Sequence, residues 1–403
     1  MKEDPWKIMM VAGEASGDFL GAELLSAVKN KYPDALFLGV GGDKMRRLGV
    51  DSPFDTNHLS VIGIAEVVLR LPDLIRVFRY LLHVMDVSRP HLLITIDLPD
   101  FNFLLAKRAR ARGIPVLHYV SPQVWAWRSG RAQRLQYFID HLLVLFPFEA
   151  EIYARTNLPV TFVGHPLVHQ ALPWSMRTEG VKGRNLVRHQ LGIGSEDPWV
   201  ILLPGSRHSE VSRLLAPMVR ACQLLKIALP AVRFAIARAT TLTDEDILRH
   251  WPSDCDESFK REVPILAGAT YDLLASADAA LVTSGTATLE AALIQIPQVV
   301  CYRVNNITYA IGKRLVNVPF ISLVNLVAGH QVVQERLQHA AEPQTLCRDL
   351  IGLLQDGQTR ESIQAGYQTV RDKLTRSAAS PFAVVEAMLA KGSGRKQVPD
   401  RHP

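Results

Sequence analysis

Short unbroken apolar runs recur through the first half of the chain, and between them apolar residues return every third or fourth position. Lys7–Ala12, Leu36–Val40, His91–Ile96, Val116–Val120 and His141–Leu145 have the length and composition of strands buried on both faces. Gly21–Lys31 and Phe103–Arg112 have helical spacing. Such alternation predicts a doubly wound parallel sheet. Between Pro166 and Pro198 the pattern dissolves into a polar segment containing Arg and Gly. It then restarts with strands at Trp199–Leu203, Arg233–Ala237, Ala279–Thr283 and Gln298–Tyr302, and helices at Val211–Leu229, Tyr271–Ser276 and Ala287–Gln295. The reading is an α/β protein of two facing Rossmann-like domains, 1–170 and 199–365, joined by a linker at 171–198, with a ligand crevice between their strand ends. Residues 366–390 are expected as a helical segment packing back on the first domain or on a partner subunit, and 391–403 as a disordered tail.

Composition narrows the class. At 403 residues, 48% hydrophobic and 21% charged, the chain is neither a disordered polymer, a collagen-like repeat nor a disulfide-stapled miniprotein. A net charge of +6 favours anionic partners, phosphates or an acidic lipid surface, without demanding nucleic acid. Cys222, Cys255, Cys301 and Cys347 form no C-x-x-C pair, so zinc spacing is absent and a reducing compartment is expected. The apolar stretch from Ile8 to Ala12 is too short for a secretory core, and no run reaches 18 apolar residues. The expectation is a cytoplasmic protein.

Several strands end in chemistry. The first runs into Gly13-Glu14-Ala15-Ser16-Gly17-Asp18, a small-residue turn that lets a ligand approach the backbone; alternatively Ser16 or Asp18 caps the next helix. The pattern is not G-x-G-x-x-G, so it gives no dinucleotide reading. Asp97-Leu98-Pro99-Asp100-Phe101-Asn102 places two carboxylates at a strand end, one suited to act as a base and the other to orient a neighbour; both equally suit a turn or cap. His118 to Arg128, with Gln123, Trp125 and Trp127, has residues for a sugar or acyl pocket, although the two tryptophans would equally fill a core. His165, in Gly164-His165-Pro166, is either a structural hydrogen-bonder or a catalyst.

In the second half, Pro204-Gly205-Ser206-Arg207 runs towards a helix. Gly205 permits close backbone approach, and Ser206 with the planar fork of Arg207 can take a phosphate. Thr283-Ser284-Gly285-Thr286-Ala287-Thr288-Leu289-Glu290 ends a buried strand and opens a helix whose N–H groups and dipole favour phosphate oxygens. Glu290 can accept from ribose hydroxyls or simply complement the dipole. The two turns in one domain together favour a nucleotide diphosphate. Leu59–Leu82 carries more apolar surface than one buried face needs, interspersed with Arg70, Arg76 and Arg79 and interrupted by Pro72. It fits an interfacial element on an anionic lipid surface, or a core helix pair with snorkelling arginines.

These motifs together resemble the lipid-A-disaccharide synthases, inverting glycosyltransferases of bacterial outer-membrane lipid synthesis. The matching runs are Ala12–Asp18, Gly41-Gly42, Asp97 to Asn102, His118–Trp127, Phe148-Glu149, Val163–Pro166, Leu203–Arg207, Ser284–Thr286 with Glu290, and Leu323–Leu326, spread over Lys7 to Met388. The resemblance implies a GT-B architecture and transfer of 2,3-diacylglucosamine from UDP-2,3-diacylglucosamine to the 6-hydroxyl of 2,3-diacylglucosamine 1-phosphate. The products are a β(1→6)-linked disaccharide 1-phosphate and UDP. It implies Asp100 as general base, Arg207 on the diphosphate, Glu290 on the ribose, Gly285 and Thr286 near phosphate, and Asn325 in the site. Gly13, Glu14, Ser16 and Asp18 would line the acceptor side. Asn102, Gln123, Trp127, His165, Gly205, Ser206 and Ser284 complete the expected binding set. His91 departs from the family's usual Asp, and Val324 from a common Pro.

Inversion by single displacement needs a base for the attacking hydroxyl and stabilisation of the leaving group. Arg207 and the helix terminus at Thr286 would meet the charge developing on UDP, so no metal and no cofactor are expected. The expected setting is peripheral, on the anionic inner face of the inner membrane, with a homodimer exchanging C-terminal segments allowed and no nucleic-acid partner. The rival readings are a UDP-sugar epimerase, another GT-B lipid-linked glycosyltransferase, and a non-catalytic nucleotide-binding module.

Overall fold

Two parallel sheets carry the chain. The computed structural model describes residues 5–59, 64–122, 133–178, 187–305, 309, 319–376 and 378–393. The chain divides into unit 1, Met1–Gly164 with Ser377–Pro403, and unit 2, His165–Arg376. Unit 1 holds β1 (Lys7–Ala12), β2 (Leu36–Val40), β3 (Val50–Asp51), β4 (Leu92–Ile96), β5 (Val116–Tyr119), β6 (His141–Val144) and β7 (Val160–Phe162), in the order β3-β2-β1-β4-β5-β6-β7. Unit 2 holds β8 (Trp199–Leu203), β9 (Arg233–Arg238), β10 (Ile265–Ala267), β11 (Ala279–Thr283), β12 (Gln298–Tyr302) and β13 (Gln334–Leu337), in the order β10-β9-β8-β11-β12-β13. Central strands are largely apolar because helices cover both faces: Ile8 to Ala12 and Trp199 to Ile201 expose nothing.

One device recurs where strands begin. His91, Asp140 and Asp278 each precede a strand, and each donates its backbone N–H to the carbonyl of the residue opening the neighbouring strand: Lys7, Val116 and Trp199. Each side chain then accepts that same residue's N–H, at 3.0 Å on His91 Nδ1, 2.9 Å on Asp140 Oδ2 and 2.8 Å on Asp278 Oδ2. His91 therefore supplies, with a ring nitrogen, the acceptor that a carboxylate supplies at the other two starts. It lies at the opposite end of β4 from the Asp97–Asn102 turn.

The segment expected as a linker is built into unit 2. Helix Leu167–Thr178 packs on helices Thr270–Ser276 and Thr286–Leu293. Arg188 is buried, donating to the carbonyls of Ser276, Gly194, Ser195 and Asp197 and to Asp278 Oδ2 at 2.6 Å. Arg188 is thus a buried, fully partnered cation of that segment. Residues 366–375 likewise continue helix Gly357–Thr375 within unit 2, where Tyr367 donates to Ile296 O at 3.0 Å. Helix Pro381–Ser393 returns to unit 1, pairing Glu386 with Lys31 on helix Ala15–Lys31.

Helix Ile64–Ser88 runs through Pro72 rather than stopping at it. Val77, Leu81 and Met85 enter the unit 1 core with Met9, Leu93 and Leu105. Leu71 and Ile75 stay 48% and 44% exposed beside the exposed Arg70, Arg76 and Arg79. One face is thus core, and the other is apolar and basic at once.

Candidate active site

In an open parallel sheet, ligands bind outside the carboxyl ends of the strands where the order reverses. In unit 1 that point lies between β1 and β4, in unit 2 between β8 and β11. The four turns that follow those strands are Gly13–Asp18, Asp97–Asn102, Pro204–Arg207 and Ser284–Thr286.

In unit 1 the register Ala12↔Ile96 makes β1 and β4 end level. Gly13 is then pressed against Leu98: a Cβ there would sit 2.8 Å from Leu98 Cβ. Asp97 (φ 57°) and Leu98 (φ 45°) both adopt left-handed backbone, a pair of conformations each unfavourable by about 1 kcal/mol for residues with a Cβ. The completely buried Asn102 holds this turn, its Nδ2 donating to Asp97 O at 2.7 Å and Ile96 O at 3.2 Å. Asp97 Oδ1 accepts the Leu98 N–H at 2.8 Å. Burial raises the Asp97 carboxyl above the usual carboxylate range, and that hydrogen bond works against the rise. Pro99 opens helix Pro99–Arg110, which leaves Asp100 exposed in its first turn.

Glu14 and Ser16 are exposed on the neighbouring turn. Asp18 is buried, with Oδ2 and Oδ1 accepting the N–H groups of Lys44 (3.0 Å) and Met45 (3.1 Å), which open helix Asp43–Arg47. Asn102 braces the Asp97–Leu98 turn from within. Gln123 and Trp127 lie outside the described residues.

In unit 2, Gly205 turns the chain at φ 119°, and Arg207 is the N-cap of helix His208–Ala228 with its side chain 68% exposed. Thr241 Oγ1 donates to Ser206 O at 2.7 Å, and the Ser206 N–H is donated to Glu210 Oε2 at 2.9 Å. Tyr302, closing β12, lies within the field of both Glu210 and Arg207; burial chiefly raises its phenol, Glu210 adds to this and Arg207 opposes it. Across the reversal, Gly285 caps helix Thr286–Leu293 with no side-chain cap, and a Cβ there would meet nothing within 4 Å. The space beside Gly285, at the start of that helix, is open. Glu290 accepts from Tyr271 OH at 3.1 Å; its carboxyl is raised by burial and lowered by that bond.

Ser284 Oγ donates to Ile321 O at 3.1 Å, tying the turn to the loop before helix Leu323–Ala328. Asn325, expected among the binding residues, is fully engaged there. Its Nδ2 donates to Val333 O (2.9 Å) and Glu335 Oε1 (2.8 Å), and its Oδ1 accepts from Val332 (2.7 Å) and Val333 (3.0 Å). It braces the loop that Ser284 leans on. Burial holds His165 neutral, its pKa pulled down to about 4, while its Nδ1 accepts the Leu167 N–H at 3.2 Å. Glu210, Tyr271 and Tyr302 escaped the sequence reading; the placement of Glu210 three residues past Arg207 was the available signal. Among the described residues no three His, Cys, Asp or Glu side chains are grouped to hold a metal ion.

A family model described as LpxB, lipid-A-disaccharide synthetase, matches residues 8–386. The chain is 40% identical over 381 residues to a lipid-A-disaccharide synthase of Syntrophus aciditrophicus, covering 94% of this chain and 97% of that one. It is 41% identical over 381 residues to a lipid-A-disaccharide synthase of Pseudomonas aeruginosa, covering 93% and 97%. Its fold is similar to that of a UDP-GlcNAc 2-epimerase from Neisseria meningitidis bound to UDP-GlcNAc, with a TM-score of 0.59 at 12% identity over 95% of this chain and all of that one.

Proposed function

The chain belongs to the lipid-A-disaccharide synthase family, with the GT-B fold, and from that premise we propose how its two units divide the reaction. It is a glycosyltransferase. The donor is UDP-2,3-diacylglucosamine and the acceptor 2,3-diacylglucosamine 1-phosphate, joined β(1→6) with inversion. Unit 1 supplies the base and unit 2 the leaving-group site. The acceptor 6-oxygen bonds to C1 of the donor sugar while the C1–oxygen bond to the diphosphate breaks. Asp100 takes the hydroxyl proton as the bond forms, so the alcohol need not ionise beforehand. Arg207 and the N–H groups opening helix Thr286–Leu293 receive the negative charge growing on UDP. Glu290 accepts from the ribose.

The observation that carries this reading is the placement of the acidic turn at the order reversal of one sheet and both phosphate-compatible turns at the reversal of the other. The epimerase reading is not retained, since that likeness is of fold alone at 12% identity. The deciding experiment replaces Asp100 with Asn. Turnover should fall about 10²–10⁴-fold while UDP affinity stays unchanged; near-normal turnover would remove Asp100 as the base.

The exposed Leu71 and Ile75 with their arginines support peripheral attachment to an anionic lipid surface, where both acylated substrates reside. No helix among the described residues is long and apolar enough to cross a membrane. Exchange of the returning Ser377–Pro403 segment between two copies is the dimer this reading allows, and sedimentation measures it.

A further inference from the structure

We infer that the Glu210 carboxylate is an internal competitor for the diphosphate site, holding it in the absence of nucleotide and helping to expel UDP after transfer. The inference rests on the reading that the diphosphate binds at Ser206 and Arg207. Three features carry it. The Ser206 N–H, an anion-binding donor at the turn, is donated to Glu210 Oε2 at 2.9 Å. The second carboxylate oxygen stands 3.6 Å from Arg207 Nη1, the cation assigned to the leaving group. The space that a side chain at position 205 would fill is taken by Glu210, whose Cβ lies 2.6 Å from where a Cβ of Gly205 would stand.

Thr241 holds the following peptide through the Ser206 carbonyl, bracing the turn beside the N–H that Glu210 accepts. A carboxylate and a diphosphate oxygen seek the same donors with the same charge, and they repel when adjacent. Binding the donor sugar nucleotide must therefore displace Glu210 from Ser206 and Arg207. When UDP carries the full product charge, Glu210 is one χ rotation from the donors it gave up. A carboxylate there weakens both substrate and product, and speeds departure of the one that limits turnover.

The test is calorimetric titration of UDP, with uridine as the phosphate-free control, into the intact protein and its E210Q, E210A and R207A variants. Glu210→Gln keeps the shape and removes the charge. It should tighten UDP about fivefold, leave uridine unchanged, and deepen product inhibition by UDP in proportion. Glu210→Ala should tighten UDP in the same direction. If Arg207→Ala weakens UDP but Glu210→Gln leaves it unchanged or weaker, Glu210 is only a helix cap and the inference falls. If Arg207→Ala leaves UDP affinity untouched, the diphosphate is bound elsewhere, and the reading beneath the inference falls instead.

Discussion

Asn102 offers the sharpest test of how the candidate base is held. Its amide spans two carbonyls, those of Ile96 and Asp97, in a completely buried position. Replacing it with Ala strands the buried Ile96 carbonyl and the part-buried Asp97 carbonyl, at about 2 kcal/mol each. Relaxation of the left-handed Asp97 and Leu98 returns part of that loss, about 1 kcal/mol per residue. The net expectation is a destabilisation of about 2–3 kcal/mol, read by urea denaturation. A kinetic effect of similar size should accompany the thermodynamic one, because Asp100 sits three residues beyond the clamp's carbonyl at 97. A displacement of the order of 1 Å lowers kcat about 10²-fold. UDP affinity, which the proposed reading assigns to unit 2, should not move. Asn102→Asp separates packing from hydrogen bonding, since it fills the same space without an N–H donor and should be at least as damaging as Ala. A folded Asn102→Asp protein with normal kcat would refute the reasoning.

Tyr271→Phe removes the donor that lowers the Glu290 carboxyl, so its pKa should climb further above the carboxylate range. UDP affinity should then decline at a higher pH than in the unaltered protein, by about fivefold at the acid end, and superimposable pH profiles would rule this out. His118 is buried against Thr95 Oγ1 at 2.7 Å, and burial pulls its pKa down to about 3 from an ordinary 6.5. The unfolded chain takes up that proton first, so stability is complete above pH 6.5 and falls towards pH 3 by up to about 1.4 kcal/mol per pH unit. His118→Gln should flatten that slope by one proton, and an unchanged slope tells against it. Replacing Leu71 and Ile75 with Ser should weaken sedimentation with anionic vesicles while sparing stability, their side chains being nearly half exposed.

The sequence made the two sheets legible where strands are buried on both sides. Lys7–Ala12, Leu36–Val40, Trp199–Leu203, Ala279–Thr283 and Gln298–Tyr302 end where the apolar runs end, because coverage on both faces leaves no polar position to blur the boundary. Edge strands were opaque: Val50–Asp51 is two residues long, and Gln334–Leu337 reads as polar. Helices began earlier than periodicity suggested, at Ala15, Pro99 and His208, since first turns are chosen for caps and ligands rather than for burial. Among the candidate site residues, the motifs mark where turns fall but carry no sign of where side chains point. Asp18, Asn102 and Asn325 stand among the expected residues, yet each amide or carboxylate is turned inward onto backbone groups. Glu210 went unnoticed for the converse reason: a helix-opening acid looks like dipole complementation until its acceptor role at Ser206 is seen.

The recurring latch at the strand starts asks for very little: a lone pair on a short side chain, aimed back at one amide. Imidazole at 91 and carboxylate at 140 and 278 each meet that demand, while the carboxylates also serve an arginine, Arg110 at 140 and the buried Arg188 at 278. Drift between acidic and basic residue types at position 91 therefore leaves the alignment of the first and fourth strands, and with it the level platform at their far ends, intact.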